Sequence, residues 1–142
     1  MTIVIIRIRG QVGLDKKIKE TLNRLRIRRK YSCVIIDENK KEIFGMLEKI
    51  RNFVAYGNID DKTLGELIEK RAQPIEKKKK VDVKNILEGI KKGEKYDKLG
   101  IKPFFRLHPP RGGIDSKIHF GKGKGVLGDN KEKINELIRR ML

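Results

Sequence analysis

Residues 2–10 read TIVIIRIRG, from Thr2 to Gly10. Isoleucine, valine and threonine branch at Cβ, which suits a pleated strand better than a helix, and the glycine marks its end. Side chains alternate across a strand, so Arg7 and Arg9 share one face while Ile6 and Ile8 share the other. The first element is a strand whose end is cationic on one side.

After this strand, Leu14, Ile18, Leu22 and Leu25 recur at helical spacing, with Asp15 placed to cap the first turn. The helix runs into RLRIRRK, where Arg24, Arg26, Arg28, Arg29 and Lys30 fall within seven residues with no acid among them. YSCVIID makes a second strand. KKEIFGMLEKI makes a second helix, with Ile43, Met46, Leu47 and Ile50 on one face, and FVAYG a third strand ending in Gly57. Residues 1–58 thus read β-α-β-α-β. Helix-crossed connections favour right-handed crossovers with both helices on one side of the sheet. The expected fold class is α+β, a ferredoxin-like open-faced sandwich whose other sheet face is wet, covered by later elements or used for binding.

Residues 59–142 read as an extension. DDKTLGELIEKRAQP is a capped helix stopped by Pro74, and DVKNILEGIKK is another, with Val83, Ile86, Leu87 and Ile90 at helical spacing. Between them lies the lysine run of residues 77–80. Residues 93–128 are rich in glycine, proline and base with little periodicity, and read as a long irregular arm. The chain closes on DNKEKINELIRRML, where Asp129 and Glu132 have capping-box spacing and Ile134, Leu137, Ile138 and Met141 form an apolar stripe.

The chain has 142 residues, with 36 Lys and Arg against 19 Asp and Glu, a formal charge of +17. Such a surface attracts polyanions, either a membrane leaflet or a nucleic acid. The longest apolar run, Ile3 to Ile6, is far short of the roughly 20 residues a bilayer span needs, which leaves nucleic acid and a cytoplasmic location. The single cysteine, Cys33, sits in an apolar strand with no nearby histidine to activate it, and reads as core.

Against that background FFRLHPPRGG, residues 104–113, is the most informative loop. Two prolines stiffen the backbone that carries Arg106 and Arg111. Gly112 and Gly113 allow close approach and free N–H groups to meet phosphate oxygens, and His108 is suited to stacking or hydrogen bonding. Phe104 and Phe105, next to apolar residues, read mainly as core. HFGKGKGVLG alternates glycine and lysine, yet neither Lys122 nor Lys124 is followed by Ser or Thr, so it is no Walker loop but a cationic finger. The two histidines, His108 and His119, show no zinc spacing.

RIRGQVG, TLNRLRIRRKYSCVI, FFRLHPPRGG and INELIRRML, in this order and at these separations, resemble the large-subunit ribosomal protein family called L thirty, whose eukaryotic members are called L seven. Residues 1–58 are similar to the short bacterial form, and residues 59–142 to the extension of archaeal and eukaryotic members. With no long basic arm before Thr2, an archaeal member fits best. The resemblance implies a structural, non-enzymatic component of the large ribosomal subunit, with large-subunit rRNA, the vicinity of 5S rRNA and neighbouring ribosomal proteins as partners. The expected RNA-contacting residues are Arg7, Arg9, Lys16, Lys17, Arg24, Arg26, Arg28, Arg29, Lys30, Arg106, His108, Arg111, Gly112, Gly113, Lys117, His119, Lys122 and Lys124. No cofactor, metal, small-molecule substrate, membrane or homo-oligomer is expected. The competing expectations are a free-standing RNA chaperone and an RNA-processing enzyme using His108 and His119.

Overall fold

The computed structural model of the chain describes residues 2–10, 15–37, 41–74, 83–92, 100–102, 104–111, 116–119 and 125–142, with only the main chain at residues 2, 37, 116–119, 125 and 126. Strand β1 (Thr2–Arg7) is central, antiparallel to β2 (Ser32–Asp37) on one side and to β3 (Val54–Ile59) on the other, with Val4 opposite Ile35 and Gly57. Because β2 and β3 run the same way with β1 between them, helix α2 (Lys41–Ile50) is a crossover over the middle strand. Helix α1 (Lys16–Arg24) instead brings the chain back to the end of the sheet it left, where the Tyr31 N–H donates to the Arg7 carbonyl at 2.7 Å. Of the two connections expected to cross over, one does, since that rule concerns parallel strands only.

Both faces of β1 are buried. Ile5, Val34 and Val54 meet Leu22, Leu25 and Ile27 from α1 and its following turn, and Leu47 and Ile50 from α2. Val4, Ile6, Ile8, Cys33 and Ala55 meet the later part of the chain on the opposite face. Among the three outcomes left open for that second face, it is covered. Helix α3 (Asp61–Arg71) contributes Leu64, Leu67 and Ile68, α4 (Val83–Lys91) contributes Ile86, and the last helix, α5 (Ile134–Met141), contributes Ile134, Leu137, Ile138 and Met141.

The described parts of residues 93–128 are less irregular than expected. Strand β4 (Phe105–Arg106) pairs antiparallel with β2, β6 (Gly125–Asp129) pairs parallel with β3, and β5 (Ser116–His119) pairs parallel with β6. The sheet order is β4-β2-β1-β3-β6-β5. These segments lack a pattern of their own because they are defined by the open edges of β2 and β3, which supply hydrogen-bonding partners and an apolar floor.

Capping follows the sequence at some helices only. The Asp60 side chain accepts from the Thr63 N–H at 2.7 Å at the start of α3. Asp15 occupies the N-cap position of α1 but makes no side-chain capping bond. The expected box at Asp129 and Glu132 gives way to a 3-10 turn, Lys131–Lys133, in which Asp129 accepts from the Lys131 N–H at 2.9 Å. Gly57 is required where that turn meets β3, since a Cβ there would stand 2.3 Å from the Lys131 carbonyl oxygen.

Candidate nucleic-acid interface

Helix α1 ends in a pair of reverse bonds: the Ile27 N–H reaches the Leu22 carbonyl at 3.1 Å and the Arg26 N–H the Asn23 carbonyl at 3.0 Å. This closure is the Schellman motif, and it places the residue after the C-cap in left-handed conformation, where glycine is usual. Here that residue is Arg26, at φ 65°. Leu22 and Ile27 are fully buried in the same cluster, which supplies the apolar contact such an ending needs. Leu25 and Ile27 go into the core, while Arg24, Arg26, Arg28, Arg29 and Lys30 stay outside. Tyr31, also left-handed at φ 66°, then turns the chain into β2.

Strand β4 brings the second basic segment to the same place. Arg106 lies opposite Ser32 and Phe105 opposite Cys33. Phe105 is fully buried in the core, so alternation puts Phe104 and Arg106 on the other side of the strand. The result is a cleft of about 320 Å³ lined by Arg26, Arg28, Arg29, Ser32, Phe104 and Arg106. The Arg106 guanidinium lies 5.4 Å from the centre of the Phe104 ring. Four arginines thus line one space, and none of the described lining residues is acidic. Guanidinium forks match phosphate oxygens bidentately, and both the ring and the guanidinium plane offer stacking surface.

The other expected contact residues distribute differently. Lys16 and Lys17 are exposed in the first turn of α1, and Arg9 is exposed beyond β1. Arg24 is exposed and bonded to Glu20 at 2.6 Å, one turn earlier, a pairing that an inspection of RLRIRRK alone did not anticipate. Arg111 is exposed, and its N–H donates to the Arg140 carbonyl at 2.9 Å. Gly112, Gly113, Lys122 and Lys124 lie outside the described residues, as do the side chains of Lys117 and His119 in β5.

One expectation is corrected. Arg7 is 1% exposed and is no surface contact. It shares its strand face with Ile5, toward α1, and its guanidinium donates to the carbonyls of Arg9 (3.0 Å), Ile27 (3.0 Å), Arg28 (2.6 Å) and Gly10 (3.4 Å). Burial lowers its pKa from the ordinary value. It is the internal tie that fixes the turn carrying the cleft arginines. His108 is half-buried and engaged by the main chain around it. Its ring nitrogens face the main-chain oxygens of Pro109 and Leu142, and its main-chain N–H donates to the Met141 carbonyl at 3.1 Å. The N–H groups of His108 and Arg111 satisfy the Met141 and Arg140 carbonyls at the end of α5, and the Arg140 guanidinium donates back to the Arg111 carbonyl at 3.0 Å. The proline loop is therefore bolted to the final helix.

Sequence reasoning missed Ser32 and undervalued Phe104. The alternation around Phe105 was the available signal, since one buried phenylalanine puts its neighbour on the opposite face. Cys33 is fully buried and burial pushes its thiol up, as expected of a core cysteine. Among the described residues no helix is long and apolar enough to cross a membrane.

The architecture and the cleft define a basic α+β protein with an arginine-walled surface. A family model described as "Ribosomal protein L30p/L7e" matches residues 3–54. The large ribosomal subunit protein uL30 of Nanoarchaeum equitans is 40% identical over 153 aligned positions, covering 97% of this chain and 97% of the relative. That of Methanococcus maripaludis is 37% identical over 156 positions, covering both chains fully, and that of Archaeoglobus fulgidus is 37% identical over 153 positions, covering 96% and 97%. The chain belongs to the L30p/L7e ribosomal protein family.

Proposed function

We propose that this protein is a structural constituent of the large ribosomal subunit, seated on large-subunit rRNA by the arginine cleft and by the exposed bases of α1. The observation that carries this reading is the pairing of β4 with β2, which joins two basic segments far apart in sequence into one cleft with no acidic lining among the described residues. Phosphate neutralisation with counterion release makes use of that arrangement. Residues 1–58 act as the core and 59–142 as the extension that completes the cleft. The names of the relatives, large ribosomal subunit protein uL30, support the assignment.

The proximity of 5S rRNA, contacts with neighbouring ribosomal proteins and a cytoplasmic location belong to the same reading. Arg9, Lys16, Lys17, Arg24, Lys30 and Arg111 extend the electrostatic footprint, and contacts by Gly112, Gly113, Lys117, His119, Lys122 and Lys124 belong to the same reading.

The test is sedimentation of a tagged copy through a sucrose gradient of native lysate at salt high enough to strip loosely bound proteins. Co-migration with the large subunit is expected. A peak at the top of the gradient, with large subunits elsewhere, would refute the assignment and favour a free RNA chaperone.

A further inference from the structure

We infer that the arginine cleft receives one nucleotide extruded from the RNA, its base laid against Phe104 and Arg106 and its flanking phosphates held by Arg26, Arg28 and Arg29. This rests on the RNA-binding reading above and names the feature of the RNA that the cleft selects.

Three observations carry it. The first is size. At about 320 Å³ the cleft sits at the lower end of sites that enclose a small molecule, room for one nucleotide and not for a helix. The second is the division of its walls. Arg26, Arg28 and Arg29 form a cationic wall from a single turn, while Phe104 with Arg106 over its ring forms a stacking wall from β4. A phosphate alone gains nothing from an aromatic ring, and a base alone gains little from four charges. A nucleotide within a chain uses both walls, because its base is flanked by a phosphate on each side. A free mononucleotide would bring a single phosphate to four guanidinium groups.

The third observation is rigidity. The turn from Arg26 to Arg29 is held by the reverse bonds that end α1 and by Arg7, which grips the carbonyls of Ile27 and Arg28. The stacking wall is held by the pairing of Arg106 with Ser32 and by burial of Phe105. A cleft whose walls are fixed before binding loses little freedom when occupied, which favours a defined occupant over loose contact with any strand.

The experiment compares two RNA hairpins of otherwise equal sequence, one fully paired and one carrying a single bulged 2-aminopurine. Binding to the whole protein is measured by filter retention, and the fluorescence of the bulged base is followed in the same titration. The bulged hairpin should bind about tenfold tighter, the amount one base–aromatic stack supplies, with a change in 2-aminopurine fluorescence as the base leaves its RNA neighbours. Phe104→Leu should shrink that preference to less than about twofold, its thermal melting confirming that the fold survives. Equal affinity for the two hairpins, or tighter binding of the bulge with the 2-aminopurine fluorescence unchanged, would overturn this inference and leave the RNA-binding reading standing. Free 5′-AMP bound as tightly as the bulged hairpin would overturn the need for a chain. Failure to bind either hairpin would overturn both readings.

Discussion

Arginine residues that look alike in the sequence have opposite fates, and the deciding factor is which way one strand faces. Arg7 gives its guanidinium to four carbonyls inside the molecule. Arg7→Met should therefore leave those oxygens without their donor and destabilise the fold by about 3 kcal/mol or more, read as a lower denaturant midpoint. Arg7→Lys, with one ammonium in place of a planar fork, should fall between. Arg26 presents the reverse case. A non-glycine residue in left-handed conformation costs about 1 kcal/mol, so Arg26→Gly should raise stability by about 0.5–1 kcal/mol and the melting temperature by about 3 °C. The same change removes a cleft cation and should weaken RNA binding, and a variant that gained stability while keeping full affinity would separate Arg26 from the interface. The density of arginines in RLRIRRK was legible in the sequence, whereas the inward turn of Ile27 between them was not. The burial of Arg7 was not, because a period-two pattern tells which residues share a face and not which face finds solvent.

Among the elements, α3 has the best-defined start. Hydrogen bonding from the Thr63 hydroxyl and N–H holds the Asp60 carboxyl below the usual carboxylate range. Because the folded form binds its proton less readily than the unfolded chain, the stabilisation is complete above the ordinary aspartate pKa of about 4 and is lost as the pH falls through the lower folded value. Asp60→Ala should cost about 1 kcal/mol at neutral pH, and Asp60→Asn, which keeps the capping oxygen without the proton, should flatten the acid limb of a stability–pH curve. The strand and helix order of residues 1–58 was readable from periodicity. Strands β4 and β6 were not, because a two-residue strand or a glycine-bearing one carries no period, and its identity comes from the edge it joins. Asn135 also escaped notice in its apolar stripe, although its amide accepts from the Asp60 N–H at 3.0 Å and donates to the Asn58 and Glu132 carbonyls, tying β3, α3 and α5 together.

For the whole molecule, the charge of +17 announced a polyanion partner, but charge alone is spread over every surface. What the sequence did not show is that the turn after α1 and the segment around Arg106 share one cleft, since they are joined by strand pairing between distant parts of the chain. The salt dependence of RNA binding should report it. Arg26→Ala combined with Arg29→Ala should reduce the slope of log affinity against log salt by about two on duplex-containing RNA, one unit for each phosphate no longer neutralised. An unchanged slope would remove both residues from the phosphate-binding surface.

The position of β4 also imposes a timetable. Synthesis delivers the three arginines after α1 early, yet the strand bearing Phe104 and Arg106 arrives only when most of the chain has been made, and the strand that lines the other edge of the sheet comes later still. A nascent chain stopped before Phe104 carries positive charge but no recess. On the proposed function, recognition of RNA through the cleft waits until Phe104 and Arg106 have been made.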